Sequence, residues 1–386
     1  MEFPDTSLVV TLATRRGTVQ AVDVRSGRLV RAASAFGGRT PAEVLGLLPT
    51  LFALCGTAQG LTGLAAMETA AGLTIAPATL AARRLLVLAE TVSEHGLSLT
   101  RDWPILHGTA PDLAAARRFK LSMGSLRDHL YPDGDALTPG GGRLAPDHAG
   151  LDRLIDEARA AFAHCLGLPP DGALTDRSRF QAWLTHGTTG TAHLLTGALI
   201  AADFTFGAGP FHPMPAGGPA DLDSRLAADT NGTYLARPDC AGLVLETGPL
   251  TRNRDDPLIA DLLAKDGTGL LTRLTSRLVD MAAALREMAR LVQDLIEQPA
   301  SPIPLDHGTG LATTEAARGL LAHRVSLEGG RVSSYQILAP TEWNFHPNGP
   351  LARGLVGVRA DAGLPQRAAL LVNALDPCVH CRIEVE

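Results

Sequence analysis

Apolar and polar residues alternate from the start of the chain. In "LVVTLATRRGTVQAVDVRSGRLVRAAS" (residues 8–34) the alternation is broken at Arg-Gly and Ser-Gly, which predicts a small antiparallel sheet. From about Pro41 the period becomes helical. "AARRLLVLAETVSEHGLSL" (residues 81–99) reads as one amphipathic helix, and Leu151, Leu154, Ile155, Ala158, Phe162 and Leu166 mark one face of another. The clearest period runs through Leu271, Leu274, Leu278, Met281, Leu285, Met288, Val292 and Leu295. Steps of three and four predict a long helix with a narrow apolar seam, the core helix of a bundle rather than an exposed partner-binding helix. "TPGGGRLAPDHAG" (residues 138–150) and "GAGPFHPMPAGGPAD" (residues 207–221) are loops by glycine and proline content, the second following a helical stretch that ends near Phe206. "AGLVLE" (residues 241–246) is strand-like. Beyond Pro302 the chain returns to strands, and "LLAHRVSLEGGRVSSYQILAP" carries two alternating runs around Glu-Gly-Gly, a hairpin signal. The expectation is a single, mostly helical α+β domain over residues 1–386: a sheet region at 1–40, a helical bundle at 41–300, and strands at 301–386.

Composition narrows the function classes. With 45% apolar residues the 386-residue chain can bury a large core. Its 34 basic and 40 acidic residues leave a net charge of −6 with no basic stripe, which excludes nucleic acid as the expected partner. The acidic start, with no apolar signal region after it, makes export unexpected and the cytoplasm the expected compartment. The uncharged run Val44 to Met67 is long enough to span a bilayer, but it contains Pro49, Gln59 and several Gly and Thr, so a buried helix is expected instead.

Five cysteines in a chain of this length do not indicate a disulfide framework. Cys165 on its helix face and Cys240 beside "AGLVLE" fit small core residues. That leaves Cys55, Cys378 and Cys381 as candidate soft-metal ligands, the last two forming a Cys-x-x-Cys pair in the closing "DPCVHCRIEVE". His380, between them, is either a further ligand or proton acceptor, or a solvated imidazole. A zinc site on the three cysteines and His380 is one reading of this set.

The order of short motifs resembles the large subunit of nickel–iron hydrogenases. "GRTP" (residues 38–41) followed by "LFALCGTAQGLTGLAA" is similar to that family's N-terminal Cys-Gly-x-Cys segment, and "ETGPLTR" (residues 246–252) to its Glu-Val-Gly-Pro-Leu-Ala-Arg stretch. "TTEAARGLLAH" (residues 313–323) resembles Glu-Ala-Pro-Arg-Gly-x-x-x-His, "YQILAPTEWNFHP" resembles Tyr-Gln-x-x-x-Pro-Thr-Thr-Trp-Asn, and the terminal Asp-Pro-Cys-x-x-Cys is shared. The resemblance implies that Cys55, Cys378 and Cys381 converge in the core. It also implies that Arg318 and Thr341 donate to the cyanides of an iron ion carrying two cyanides and one carbonyl, and that Asp376 helps turn the chain into the site. A structural alternative for Arg318 is a buried salt bridge with Glu246 or Asp376, and for Thr341 a turn hydroxyl. For His323 the default is a hydrogen-bonded core histidine.

The departures are as telling as the matches. Ala58 stands where the second N-terminal cysteine belongs, Thr62 replaces a histidine, "SAFG" replaces an acidic segment, and Glu384 replaces the histidine that precedes a removable tail. These losses make hydrogenase activity unexpected and nickel absent, while the iron half of the site is kept. The pattern resembles the HupK/HoxV family, which "ETVSEHGLSLTRDWP" (residues 90–104) also fits. The implied role is a maturation scaffold that receives the Fe(CN)2(CO) unit from HypC/HypD-type chaperones and passes it to the large-subunit precursor. The rival expectations are a divergent or hydrogen-sensing large subunit and a cargo-free decoy that occupies the chaperones.

Overall fold

The computed structural model describes residues 6–193, 195–196 and 205–386. Strands β1 (Leu8–Arg15) and β2 (Thr18–Ser26) pair antiparallel around Arg16-Gly17, where both φ angles are positive, at 53° and 77°. Such a turn matches the twist of the strands it joins. The uncharged run divides between α1 (Pro41–Leu51) and α2 (Gly56–Ala70), bent 95° apart. Among the described residues no single helix is long and apolar enough to cross a membrane. Thr40 opens α1 with a capping box: its hydroxyl accepts from the Glu43 N–H, and the Glu43 carboxylate accepts from the Thr40 N–H at 2.7 Å.

Helix α3 (Pro77–Leu97) runs into a turn of π-helix, and α4 (His148–Leu166) begins three residues inside the expected loop because Asp147 caps it, accepting from the Gly150 N–H at 3.0 Å. The helical stretch expected to end near Phe206 includes residues 194 and 197–204, which lie outside the described residues. "AGLVLE" does not form a strand. Positive φ at Ala241 and Gly242 folds it into a tight turn closed by a Cys240–Leu243 bridge, and Glu246 bridges to Pro213.

Helix α5 (Leu270–Asp294) buries the expected seam from Leu271 to Val292, and Leu295, which ends it in extended conformation, is buried as well. Burial also reaches round to Thr272, Arg273, Thr275, Ser276, Arg277 and Asp280. All but Thr275, whose buried hydroxyl is unpaired, are met there by hydrogen-bonding partners, and several of the partners belong to the site.

Strands β3 (Gly308–Ala316), β4 (Gly319–Glu328) and β5 (Arg331–Leu338) form an antiparallel sheet in that order, with Gly329-Gly330 at φ 54° and 71° making the predicted hairpin turn. Helix α2 lies directly on β3. A Cβ on Gly310 would overlap the Ala66 carbonyl oxygen, so the glycine sets the distance between helix and sheet. After α6 (Pro340–Asn344) and α7 (Leu364–Leu375), Asp376 takes a left-handed φ of 52°, ending α7 and redirecting the chain. Strand β6 (Cys381–Val385) then adds to the N-terminal sheet parallel to β1, from Leu8 opposite Cys381 to Leu12 opposite Val385. The N-terminal sheet is therefore mixed, not purely antiparallel as expected. The result is a mostly helical bundle between two small sheets, with one core drawing on residues from Leu8 to Leu375 and a smaller one around Met214, Tyr234 and Trp343.

Candidate functional site

Three motifs far apart in sequence are bolted together by polar groups. Thr247 donates its N–H to Asn344 Oδ1 at 3.0 Å, and Asn344 Nδ2 donates to the Thr247 carbonyl at 2.9 Å. The Thr247 hydroxyl accepts from the Leu320 N–H at 2.8 Å, just past Arg318. Arg252, closing the same "ETGPLTR" stretch, donates to Asp280 on α5, to Glu315 at 2.9 Å, and to the carbonyls of Ala316 and Ala317. Together these bonds fix the β3–β4 turn and with it the backbone of Arg318.

Beside that turn is a cavity of about 330 Å³. Cys55 and Gln59 line it from the start of α2, Arg318 from the β3–β4 turn, Thr341 from α6, Cys378 from the C-terminal segment, and Arg28 from just beyond β2. Cys378 is tightly held: the Thr341 hydroxyl lies 3.2 Å from its sulfur, its N–H donates to the same hydroxyl at 3.4 Å, and Arg28 donates to the sulfur while its Nε binds Glu342 at 2.6 Å. Arg318 donates to Glu94 at 3.0 Å and lies 3.5 Å from Asp376. Burial opposes the charge of both Arg28 and Arg318, but the neighbouring carboxylates outweigh it and raise both pKa values, so both stay cationic.

Cys55 is set differently. Burial, then the nearby Cys378 and Glu90, push its thiol up to about 12. Gln59 Nε2 is 3.6 Å from its sulfur. Thr57 and Ala58 give their N–H groups to Glu90 at 2.8 and 3.0 Å, so a carboxylate closes the N-terminus of α2 beside Cys55. Ala58 is fully buried, and the Thr62 hydroxyl turns back to the Ala58 carbonyl at 2.6 Å.

Cys55, Cys378, Arg318 and Thr341 therefore meet in one cavity, whereas Cys381 does not line it. Cys381 heads β6 opposite Leu8, packed against the core, and burial pushes its thiol up to about 11. Pairing with β1 explains the difference. Cys378 and Val379 precede the strand and stay at the cavity, while Cys381 is already in register with buried Leu8 and is held by the sheet. His380 is exposed; its carbonyl accepts from the Leu8 N–H at 2.8 Å, and its ring makes none of the site's hydrogen bonds. Among the described residues no group of three or more His, Cys, Asp or Glu side chains is arranged to hold a metal ion, so the closed zinc site is not assembled. Asp376 touches the cavity only through Arg318, and it also lies 3.8 Å from Arg277. Glu246 is not a partner of Arg318: it pairs with Arg273 through two bonds of 2.8 Å.

Residues 261–384 match the family model for nickel-dependent hydrogenase. The chain is 33% identical over 349 residues to the hydrogenase expression/formation protein HupK of Bradyrhizobium diazoefficiens, covering 89% of this chain and 87% of that one. It is 32% identical to the hydrogenase expression/formation protein HoxV of Cupriavidus necator, over 88% of this chain and 86% of that one. The chain belongs to the HupK/HoxV family of hydrogenase expression/formation proteins. The nickel–iron–selenium hydrogenase from Desulfomicrobium baculatum superposes on it with a TM-score of 0.64 at 17% identity, covering 95% of both chains, a likeness of fold alone.

Within this HupK/HoxV chain, sequence reasoning missed Arg28 altogether, since nothing local marks an arginine after a Ser-Gly break as the neighbour of a thiol 350 residues away. It read "ETVSEH" as helical and as part of the family resemblance but gave its two acids no role. Glu90 and Glu94, one helical turn apart on α3, serve Cys55's helix and Arg318, and the adjacent His95 donates from Nε2 to the Asp280 carboxylate, 2.9 Å away. Two acids four residues apart, on one face of an amphipathic helix, were the available signal.

Proposed function

We propose that this protein acts in hydrogenase maturation as a carrier: it takes up the Fe(CN)2(CO) unit in the cytoplasm and yields it to the large-subunit precursor. The observation that carries the reading is the convergence of Cys55, Cys378, Arg28, Arg318 and Thr341 on one cavity. Thiols suit a soft metal, while two permanent cations and a hydroxyl suit anionic cyanide ligands. Retention is expected to be reversible, because binding at Cys55 must displace a proton that burial holds firmly, and release returns it. Cys378 and Cys55 are the proposed ligands, with Arg318 and Thr341 orienting the cyanides. Three exposed leucines, Leu29, Leu51 and Leu54, rim the cavity mouth, an apolar collar against which a HypC/HypD-type chaperone or the precursor can seal the site during transfer.

Infrared spectroscopy of protein purified without oxygen from a maturation-competent host tests this. Wild-type protein is expected to show carbonyl and cyanide stretching bands, lost in Cys378→Ser and Cys55→Ser and kept in Cys381→Ser. Band-free wild-type protein, together with normal maturation by a variant lacking all three thiols, would leave only a chaperone-occupying decoy.

A further inference from the structure

A line of hydrogen bonds leads from the cavity into the core, and the carrier chemistry does not use it. Cys55 Sγ is 3.6 Å from Gln59 Nε2; Gln59 Oε1 is 2.9 Å from His323 Nε2; His323 Nδ1 is 2.8 Å from the Tyr335 hydroxyl. His323 is completely buried, Tyr335 and Gln59 nearly so. The line joins α2 to β4 and β5, so it crosses the interface that places Cys55 over the sheet.

We propose that Gln59, with its amide oriented by His323 and Tyr335, is the positioning residue for Cys55: it holds an N–H donor on the sulfur and so favours the sulfur in its proton-free, metal-bound form. The polarity follows step by step. With the Gln59 N–H on sulfur, its oxygen must accept, so His323 carries its proton on Nε2. His323 Nδ1 is then bare and accepts from the Tyr335 O–H. The opposite polarity would put the amide oxygen against sulfur, where only a protonated thiol could answer it. A metal-bound sulfur has no proton and can only accept, so just one of the two arrangements suits a ligand. Burial holds the His323 pKa down at about 3, which keeps the ring neutral and lets a single tautomer transmit the choice. Gly63 leaves room for this line, since a Cβ there would press on the Tyr335 hydroxyl at 2.6 Å.

The consequence for cargo rests on the carrier reading; the direction of the hydrogen bonds does not. Two measurements separate them. In the full-length protein labelled with ¹⁵N-histidine, the His323 ring is assigned by its loss from the His323→Gln spectrum. Across pH 6–8 it is expected to show only the Nε2–H tautomer, and an Nδ1–H ring would overturn the proposal. In cargo-loaded protein, Gln59→Leu removes a donor that draws electron density from the sulfur, so the carbonyl band is expected at lower wavenumber with its intensity retained. Tyr335→Phe, which keeps the ring and its edge contact with Phe36, is expected to shift the band in the same direction by less. An unshifted band in both variants would overturn the positioning role. Absence of any band from wild-type protein would remove the carrier reading, and the His323 tautomer alone would then decide whether the line of hydrogen bonds runs in the proposed direction.

Discussion

Neutralising Glu246 with Glu246→Gln tests whether the core is organised around buried charge. Glu246 and Arg273 have side chains only 2% and 3% exposed and share two hydrogen bonds of 2.8 Å. The substitution keeps the shape and one acceptor oxygen but removes the negative charge, leaving a buried guanidinium answered only by neutral oxygens, those of the new amide and of the Gly207 and Thr268 carbonyls. Breaking one side of a buried pair costs about 3–5 kcal/mol, because the remaining charge stays desolvated without compensation. Unfolding entropy scales with chain length, so 386 residues correspond to about 0.8 kcal/mol per °C near the midpoint, and the expected fall in Tm is about 4–6 °C. Differential scanning calorimetry measures it. The partner substitution sharpens the test: Glu246→Leu with Arg273→Met removes both charges and is expected to regain most of the loss, to within about 1 kcal/mol of the wild type. A fall of less than about 1 °C for Glu246→Gln, or a double variant whose loss is the sum of the two single ones, would refute the argument.

Arg318→Met strands the carboxylates of Glu94 and Asp376 and is expected to destabilise by on the order of 3 kcal/mol in chemical denaturation, with Arg318→Lys recovering part by restoring the charge without the planar fork. Gly310→Ala forces α2 off β3 at an expected overpacking cost of about 1–3 kcal/mol, and by moving Cys55 it should also weaken the carbonyl and cyanide bands of loaded protein. Stability should rise with pH between about 3 and 6.5: over that window the unfolded chain protonates His323 and the folded core does not, so the folded state is penalised as pH falls. His323→Gln should flatten that limb by up to about 1.4 kcal/mol per pH unit, read from urea midpoints at fixed pH values.

Periodicity and turn chemistry alone determined a good deal of this protein. The Arg16-Gly17 and Gly329-Gly330 turns, the long helix α5 and the faces of α3 and α4 are local features, and local sequence encodes them through backbone freedom and burial period. Motif order carried further, bringing Cys55, Cys378, Arg318 and Thr341 to one place, with Asp376 turning the chain toward it. The rest was decided only by tertiary packing. The pattern of α5 promised a narrow seam, yet arginines and an aspartate on its other flanks are buried too, because Glu246, Arg252, His95 and Asn373 arrive from distant segments to pair with them. Strand β6 had to find β1 across almost the whole chain, and that pairing, not the Cys-x-x-Cys spacing, took Cys381 out of the cavity. Arg28 on Cys378, and Gln59 between Cys55 and His323, are contacts of the same kind. A side chain's periodicity says which way it faces along its own element, but not which charge or donor the fold will set against it.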